Sequence, residues 1–245
     1  MDYKLSTSLL SIFIAILLII QNTVSFNPIR FHCSNYVLNS YLYLFLSFAI
    51  IFSTVFGLQY SNMTLTKLFA GKNTFLLLIV SIFLVSALIM LNPKYFFTKH
   101  VLWIVYIALM GVFLYPIYKE NNTLFYHSSL TTFAIVLLLT GITYVKPDII
   151  KNSWFMPLFL VTVGLLIGIL GESFLASRGI RYQSKTKKII SYATIGIFSL
   201  WMLYDTKQII RNAENCVNPD YINQSMNILL DTLNIFTGVA GARSS

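Results

Sequence analysis

Residues 154–176 read WFMPLFLVTVGLLIGILGESFLA, and Glu172 is the only ionisable side chain in the run. A helix needs about 20 residues to cross a bilayer, so this stretch is long enough. Its residues are apolar all round rather than on one face, which is the signature of lipid contact and not of a soluble core. A barrel strand would alternate every second residue, and this run does not. It is a membrane-crossing helix.

The same pattern recurs on both sides, at about 5–24, 36–58, 74–91, 101–118, 125–145, 189–210 and 222–242. Turn-forming residues separate the stretches: Asn27-Pro28, Asn92-Pro93, Lys146-Pro147-Asp148 and Asn218-Pro219-Asp220. Eight such helices leave only short connections within 245 residues, with no room for a soluble domain. The fold class is all-α, a polytopic membrane protein. Composition agrees: 57% of the residues are hydrophobic, 10% are charged and mean hydropathy is +0.74. A soluble domain carries roughly 25% charged residues, so soluble enzymes and disordered tails are excluded.

The net charge of +9, from 17 Lys and Arg against 8 Asp and Glu, belongs to loops that face headgroups and cytoplasm. No basic run is interleaved with an exposed platform, so nucleic acid is not an expected partner. The side bearing the N-terminus collects Lys4, Lys67, Lys72, Lys119, Arg178, Arg181, Lys185, Lys187, Lys188 and Arg243, and the other side the remaining seven of the 17. This imbalance draws the N-terminal side weakly toward the cytoplasm.

The first stretch has two readings. Lys4 ahead of the apolar run Leu9 to Ile20, with the small residues Thr23-Val24-Ser25 after it, fits a signal peptide as well as a retained helix. Cys33 and Cys216 are too few for a disulfide framework. They fall on the same side of an eight-span chain, which permits a bridge, but unpaired thiols are the expectation. His32, His100 and His127 lie at stretch ends without ligand-like spacing, so no resident metal or cofactor is expected. No Ser stands in a Gly-x-Ser-x-Gly setting and no phosphate-binding glycine loop occurs, so the chain is not expected to be an enzyme. Gly111 to Pro116 fits either a kinked helix or ordinary packing.

Of the acidic residues, Asp2, Glu120, Asp148, Glu214 and Asp220 belong to ends and loops, and Glu172 stands near the end of its stretch. Asp205 and Asp231 fall inside the last two apolar stretches, where an Asp costs about 2.5–3.5 kcal/mol to insert and needs a partner or a water path. Asn227, Asp231, Asn234, Gly238 and Gly241 follow at helical spacing along one face, polar first and small afterwards. Such a seam is expected to turn toward other helices. On the preceding helix Gln208 shares a side with Asp205. Two carboxylates in a low-dielectric site share one proton and titrate as a unit; deprotonated, they offer hard oxygens to calcium. Interhelical hydrogen bonding alone is the competing reading.

The chain reads LYDTKQIIRNAE at 203–214, DYI at 220–222 and LDTLNIF at 230–236. These elements resemble the C-terminal signature of the Bax inhibitor-1 (transmembrane Bax inhibitor motif) family, and in particular its growth-hormone-inducible transmembrane protein branch. Weaker similarity covers VLNSY at 37–41 and Gly111 to Pro116. The resemblance implies a seven-helix core over 36–245, preceded by residues 1–35 as an added hydrophobic segment and linker.

It implies that Asp205 and Asp231 form a pH sensor and gate with calcium as a ligand, and Asn227, Asn234, Gln208 and Lys207 are candidates around them. It implies a pH-sensitive calcium leak channel, or a calcium/proton exchanger, in an intracellular membrane: endoplasmic reticulum, Golgi or mitochondrial inner membrane. There it would suppress apoptosis, with calcium and protons as permeant ions and apoptosis-regulating membrane proteins as partners. The alternative is an anti-apoptotic interaction protein that conducts no ions.

The sequence departs from the family at Lys207, where a Gln is usual, and in lacking an Arg within 74–91 that latches the pair in some members. Family sidedness would also place the Arg178–Lys188 connection on the non-cytosolic face, against the charge count.

Overall fold

The computed structural model describes residues 3–26, 29–31, 33–69, 72–177 and 184–244. Asn27-Pro28, His32, Arg178, Arg181 and the side chain of Glu172 lie outside what is described. The eight apolar stretches are eight long helices: α1 (Tyr3–Thr23), α2 (Tyr36–Tyr60), α4 (Lys72–Met90), α5 (Phe96–Glu120), α6 (Asn122–Val145), α7 (Phe155–Ser177), α8 (Ser184–Glu214) and α9 (Tyr221–Ser244). A four-residue turn of helix, α3 (Leu65–Leu68), lies between α2 and α4. The architecture is all-α. Besides helices it has a small antiparallel hairpin, β1 (Val24–Phe26) with β2 (Ile29–Phe31), which begins where α1 ends.

Among the described residues, seven helices are long and apolar enough to cross a membrane, namely α1, α2 and α4 to α8. The chain is a multi-pass membrane protein. Phe75, Leu76, Ile82 and Phe83 on α4, with Leu166, Ile167 and Leu170 on α7, are exposed, as lipid-facing residues are. Helix α9 is long enough but carries Asn223, Gln224, Asn227, Asp231 and Asn234, and most of its positions are buried.

The described chain forms two compact units, Met1–Asn121 with Ala213–Met226, and Asn122–Asn212 with Asn227–Ser245. In the first, α1 lies on α2, α2 on α5 and α4 on α5. Gly111 on α5 faces α2 so closely that a Cβ would stand 2.7 Å from Thr54 Cβ and 2.9 Å from the Ile51 carbonyl. Small residues bring helices together in this way where burial from water offers no driving force. Helix α5 continues through Pro116 to Glu120.

The centre of this unit is aromatic and polar. Tyr43, Trp103, Tyr221 and Lys99 are fully buried, and the Tyr43 ring lies 5.4 Å from Trp103 and 6.3 Å from Tyr221. Cys33 and Cys216 are joined as a disulfide, which corrects the expectation of free thiols. The bond forms because the start of α2 and the α8–α9 connection meet at one end of the unit. Tyr36 and Tyr221, each the first residue of its helix, meet there with ring centres 5.1 Å apart and the rings tilted at 56°.

In the second unit, Trp201 on α8 donates from Nε1 to Thr162 Oγ1 on α7 at 2.7 Å. Phe125 on α6 meets Phe236 on α9 edge-on at 5.4 Å. A Cβ on Gly238 would lie 2.9 Å from Ile195 Cγ1 and 3.0 Å from the Ser191 carbonyl, and one on Gly241 would crowd Ser191 Oγ. The small half of the α9 seam is therefore its contact with α8.

Candidate functional site

The close approach of α8 and α9 sets the geometry of the two intramembrane aspartates. Asp205 is half-buried on α8, and Asp231 on α9 is 5% exposed. Their carboxyl groups lie within interacting reach of each other. Asp231 Oδ2 is buried and receives no hydrogen bond from a protein donor. Two carboxylates offer only acceptors, so a bond between them requires a proton on one of them. Among the described residues no group of three or more His, Cys, Asp or Glu stands together. A resident calcium ion takes six to eight oxygens, which two carboxyl groups closed on each other do not supply.

The residues around the pair divide into those that face it and those that do not. Helical positions advance by about 100° per residue, so Asn227 and Asn234 lie within about 20° of one another, and Asp231 about 40° round from Asn227. Asp231 and Gly238 are buried while Asn227 is exposed and Asn234 half-buried. The seam thus straddles the border of the buried face, and Asn227 is open rather than turned toward another helix as expected. Asn234 Nδ2 donates to the Leu230 carbonyl at 2.8 Å, and Gln208 is half-buried.

Lys207 is committed elsewhere. Its ammonium donates to the Ile150 carbonyl at 2.8 Å and to Asp148 Oδ1 at 3.3 Å, fastening α8 to the connection that precedes α7.

A second polar centre, in the first unit, lay outside the sequence reading. Lys99 Nζ meets Asp220 Oδ2 at 2.5 Å and also donates to the Leu91 carbonyl at 2.8 Å. Both residues read as loop charges because Lys99 precedes the apolar run at 101–118. Helix α5 begins earlier, at Phe96, and so carries Lys99 inside. Asp220 also receives the Asn223 amide on Oδ1 at 3.2 Å and caps α9. His100, next to Lys99, is bonded through Nε2 to Tyr43 Oη at 2.7 Å and through Nδ1 to the Phe96 carbonyl at 2.7 Å. The carbonyl must accept from Nδ1–H, so Tyr43 donates to Nε2. The available signal was one Lys and one Asp, each beside a span lip on the same side.

Comparison with known proteins covers the whole helical core. Residues 33–241 match the family described as "Inhibitor of apoptosis-promoting Bax1", a span that runs from Cys33 to within four residues of the end. The rat (Rattus norvegicus) growth hormone-inducible transmembrane protein is 29% identical over 150 residues, covering 58% of this chain and 42% of the relative. The match therefore takes in less than half of that protein's length. With the family match extending over all seven helices from α2 onward, excluding the short α3, the chain belongs to the Bax1-inhibitor family of membrane proteins.

Proposed function

We propose that the chain is a pH-gated calcium leak of an intracellular membrane and that it damps apoptotic signalling through that leak. The observation that carries the reading is the proximity of Asp205 and Asp231, with Asp231 Oδ2 buried and without a hydrogen-bond partner. With a proton between them the pair closes the helix contact. Without it, two anions in a poor dielectric repel each other and become oxygen ligands for a divalent cation in transit. Asn227, exposed one turn before Asp231, and Asn234, half-buried beyond it, supply polar steps along the open side of α9. Calcium is cargo here, no resident cofactor is needed, and no chemistry is performed on a substrate. The family description supports the link to cell death.

The experiment is calcium entry into dye-loaded liposomes carrying the full chain, scanned over about pH 5 to 8 around the range where carboxyl pairs exchange protons. Asp205→Asn and Asp231→Asn run beside it. Flux that depends on pH in the parent chain and not in either variant supports the gate. Absence of flux above empty liposomes, from folded protein, overturns it and favours an interaction protein that restrains cell death by binding membrane partners. Flux that needs an opposing proton gradient would make the protein an exchanger instead of a leak.

A further inference from the structure

Away from the aspartate pair, one end of the first unit is tied together by three contacts between segments remote in sequence. The Cys33–Cys216 bond spans 183 residues and joins the segment ahead of α2 to the α8–α9 connection. Tyr221, at the start of α9, is stacked on Tyr43 and meets Tyr36 at a tilt, both on α2. Asp220, between these two, is paired with buried Lys99 of α5, which also holds the last carbonyl before the α4–α5 turn. The stretch 216–221 is thus held covalently to the segment just ahead of α2 and electrostatically to α5.

The position of the bond in the membrane follows from two independent facts. Disulfides form and persist outside reducing compartments. The Lys and Arg excess lies on the side of the N-terminus, opposite the cysteines in an alternating chain, and basic connections stay cytoplasmic. Both put the cysteine end on the non-cytoplasmic side and the connection carrying Lys185, Lys187 and Lys188 in the cytoplasm. This is the reverse of the sidedness that family resemblance implies.

We propose that Cys33 and Cys216 form a redox clasp on the non-cytoplasmic face, closed by oxidation, that holds residues 216–221 and the start of α9 against α2 and α5. Closure is thiol–disulfide exchange with an oxidised dithiol protein or glutathione disulfide. The two thiols lose two electrons and two protons as the sulfur–sulfur bond forms, and the partner leaves as two thiols. Opening is the reverse, driven by a dithiol reductant. With the bond open, Lys99–Asp220 and the tyrosine stack remain as the anchors.

The test uses the full chain in sealed membrane vesicles with the cytoplasmic face outward. A maleimide mass tag is added after denaturation, with and without prior treatment by a membrane-impermeant phosphine reductant. The expected result is no tag on either cysteine in untreated or in phosphine-treated sealed vesicles, and two tags once the vesicles are permeabilised before reduction. Two tags without any reductant overturn the bond, and two tags after phosphine on sealed vesicles overturn its sidedness.

The holding role is read separately by amide hydrogen exchange on detergent-solubilised protein. Reduction is expected to speed exchange in 213–224 by about tenfold or more while α7 is unchanged. Equal exchange in the oxidised and reduced chains would overturn the clasp.

Discussion

The ammonium of Lys99 and the carboxylate of Asp220 meet at 2.5 Å although the two residues are 121 positions apart, and their side chains are 1% and 19% exposed. The inequality of exposure decides what each truncation should do. Asp220→Ala leaves a wholly buried ammonium without its counter-ion and removes the cap on the Asn223 amide. Lys99→Met leaves a carboxylate that water can still reach. Breaking one partner of a buried pair costs about 3–5 kcal/mol, and replacing both with apolar groups costs less. Thermal unfolding in detergent should therefore rank Asp220→Ala as the least stable, with Lys99→Met milder. The Lys99→Met/Asp220→Ala double variant should be more stable than Asp220→Ala alone. A double variant as unstable as the sum of the singles would show that the charges do not compensate each other.

The glycines separate close helix approach from mere helix breaking. A Cβ on Gly111 meets Thr54 Cβ and the Ile51 carbonyl, and a backbone oxygen cannot rotate away. Gly111→Ala should force α5 off α2 and cost about 1–3 kcal/mol, as overpacked cores do. Gly168 on α7 has nothing within 4 Å of such an atom. There alanine should be neutral or stabilise by up to about 1 kcal/mol through helix propensity. Melting curves of the two variants, compared under one detergent condition, check the contrast.

These features differ in how far the bare sequence exposed them. The eight helices were legible because a bilayer demands long apolar runs, and hydropathy alone locates such runs to within a few residues. Asp205 and Asp231 were legible for the converse reason, as carboxylates embedded in those runs. Lys99 with Asp220 and Cys33 with Cys216 were not, since each member stands at a span end where a charge or thiol is ordinary. What makes them unusual is the partner, and the partner comes from a segment brought in by the fold. Asn227 shows the limit of spacing itself. Alternating steps of four and three keep these positions within about 40° of Asn227, and that spread is enough to cross the border of the buried face.

Lys207 makes two contacts of different worth. Asp148 is 99% exposed, so its 3.3 Å contact with the ammonium is screened by solvent and contributes little. The 2.8 Å bond to the Ile150 carbonyl reaches a buried residue. Asp148→Asn should leave the protein unchanged within about 0.5 kcal/mol. Lys207→Met should loosen the connection at 146–151, seen as faster amide exchange there. Equal effects of the two substitutions would mean that the ion pair, and not the carbonyl bond, fastens the connection.

The proton between Asp205 and Asp231 gives the proposed gate a sign. A hydrogen bond between two carboxyl groups lasts only while one of them donates, so raising the pH removes the donor and leaves two neighbouring anions. Calcium flux should therefore rise with pH, as repulsion parts α8 from α9 and deprotonated oxygens become free to bind the ion. Asp231→Asn puts an amide donor where the proton was, and the Asn–Asp bond survives at every pH, so this variant should stay closed and pH-independent. Asp231→Ala removes both donor and charge, and should leak without regard to pH. The distinguishing measurement is the slope of calcium entry against pH in liposomes for the three chains. A parent chain whose flux falls as pH rises would mean that the protonated pair is the open form, and the assignment of closed and open states would have to be exchanged.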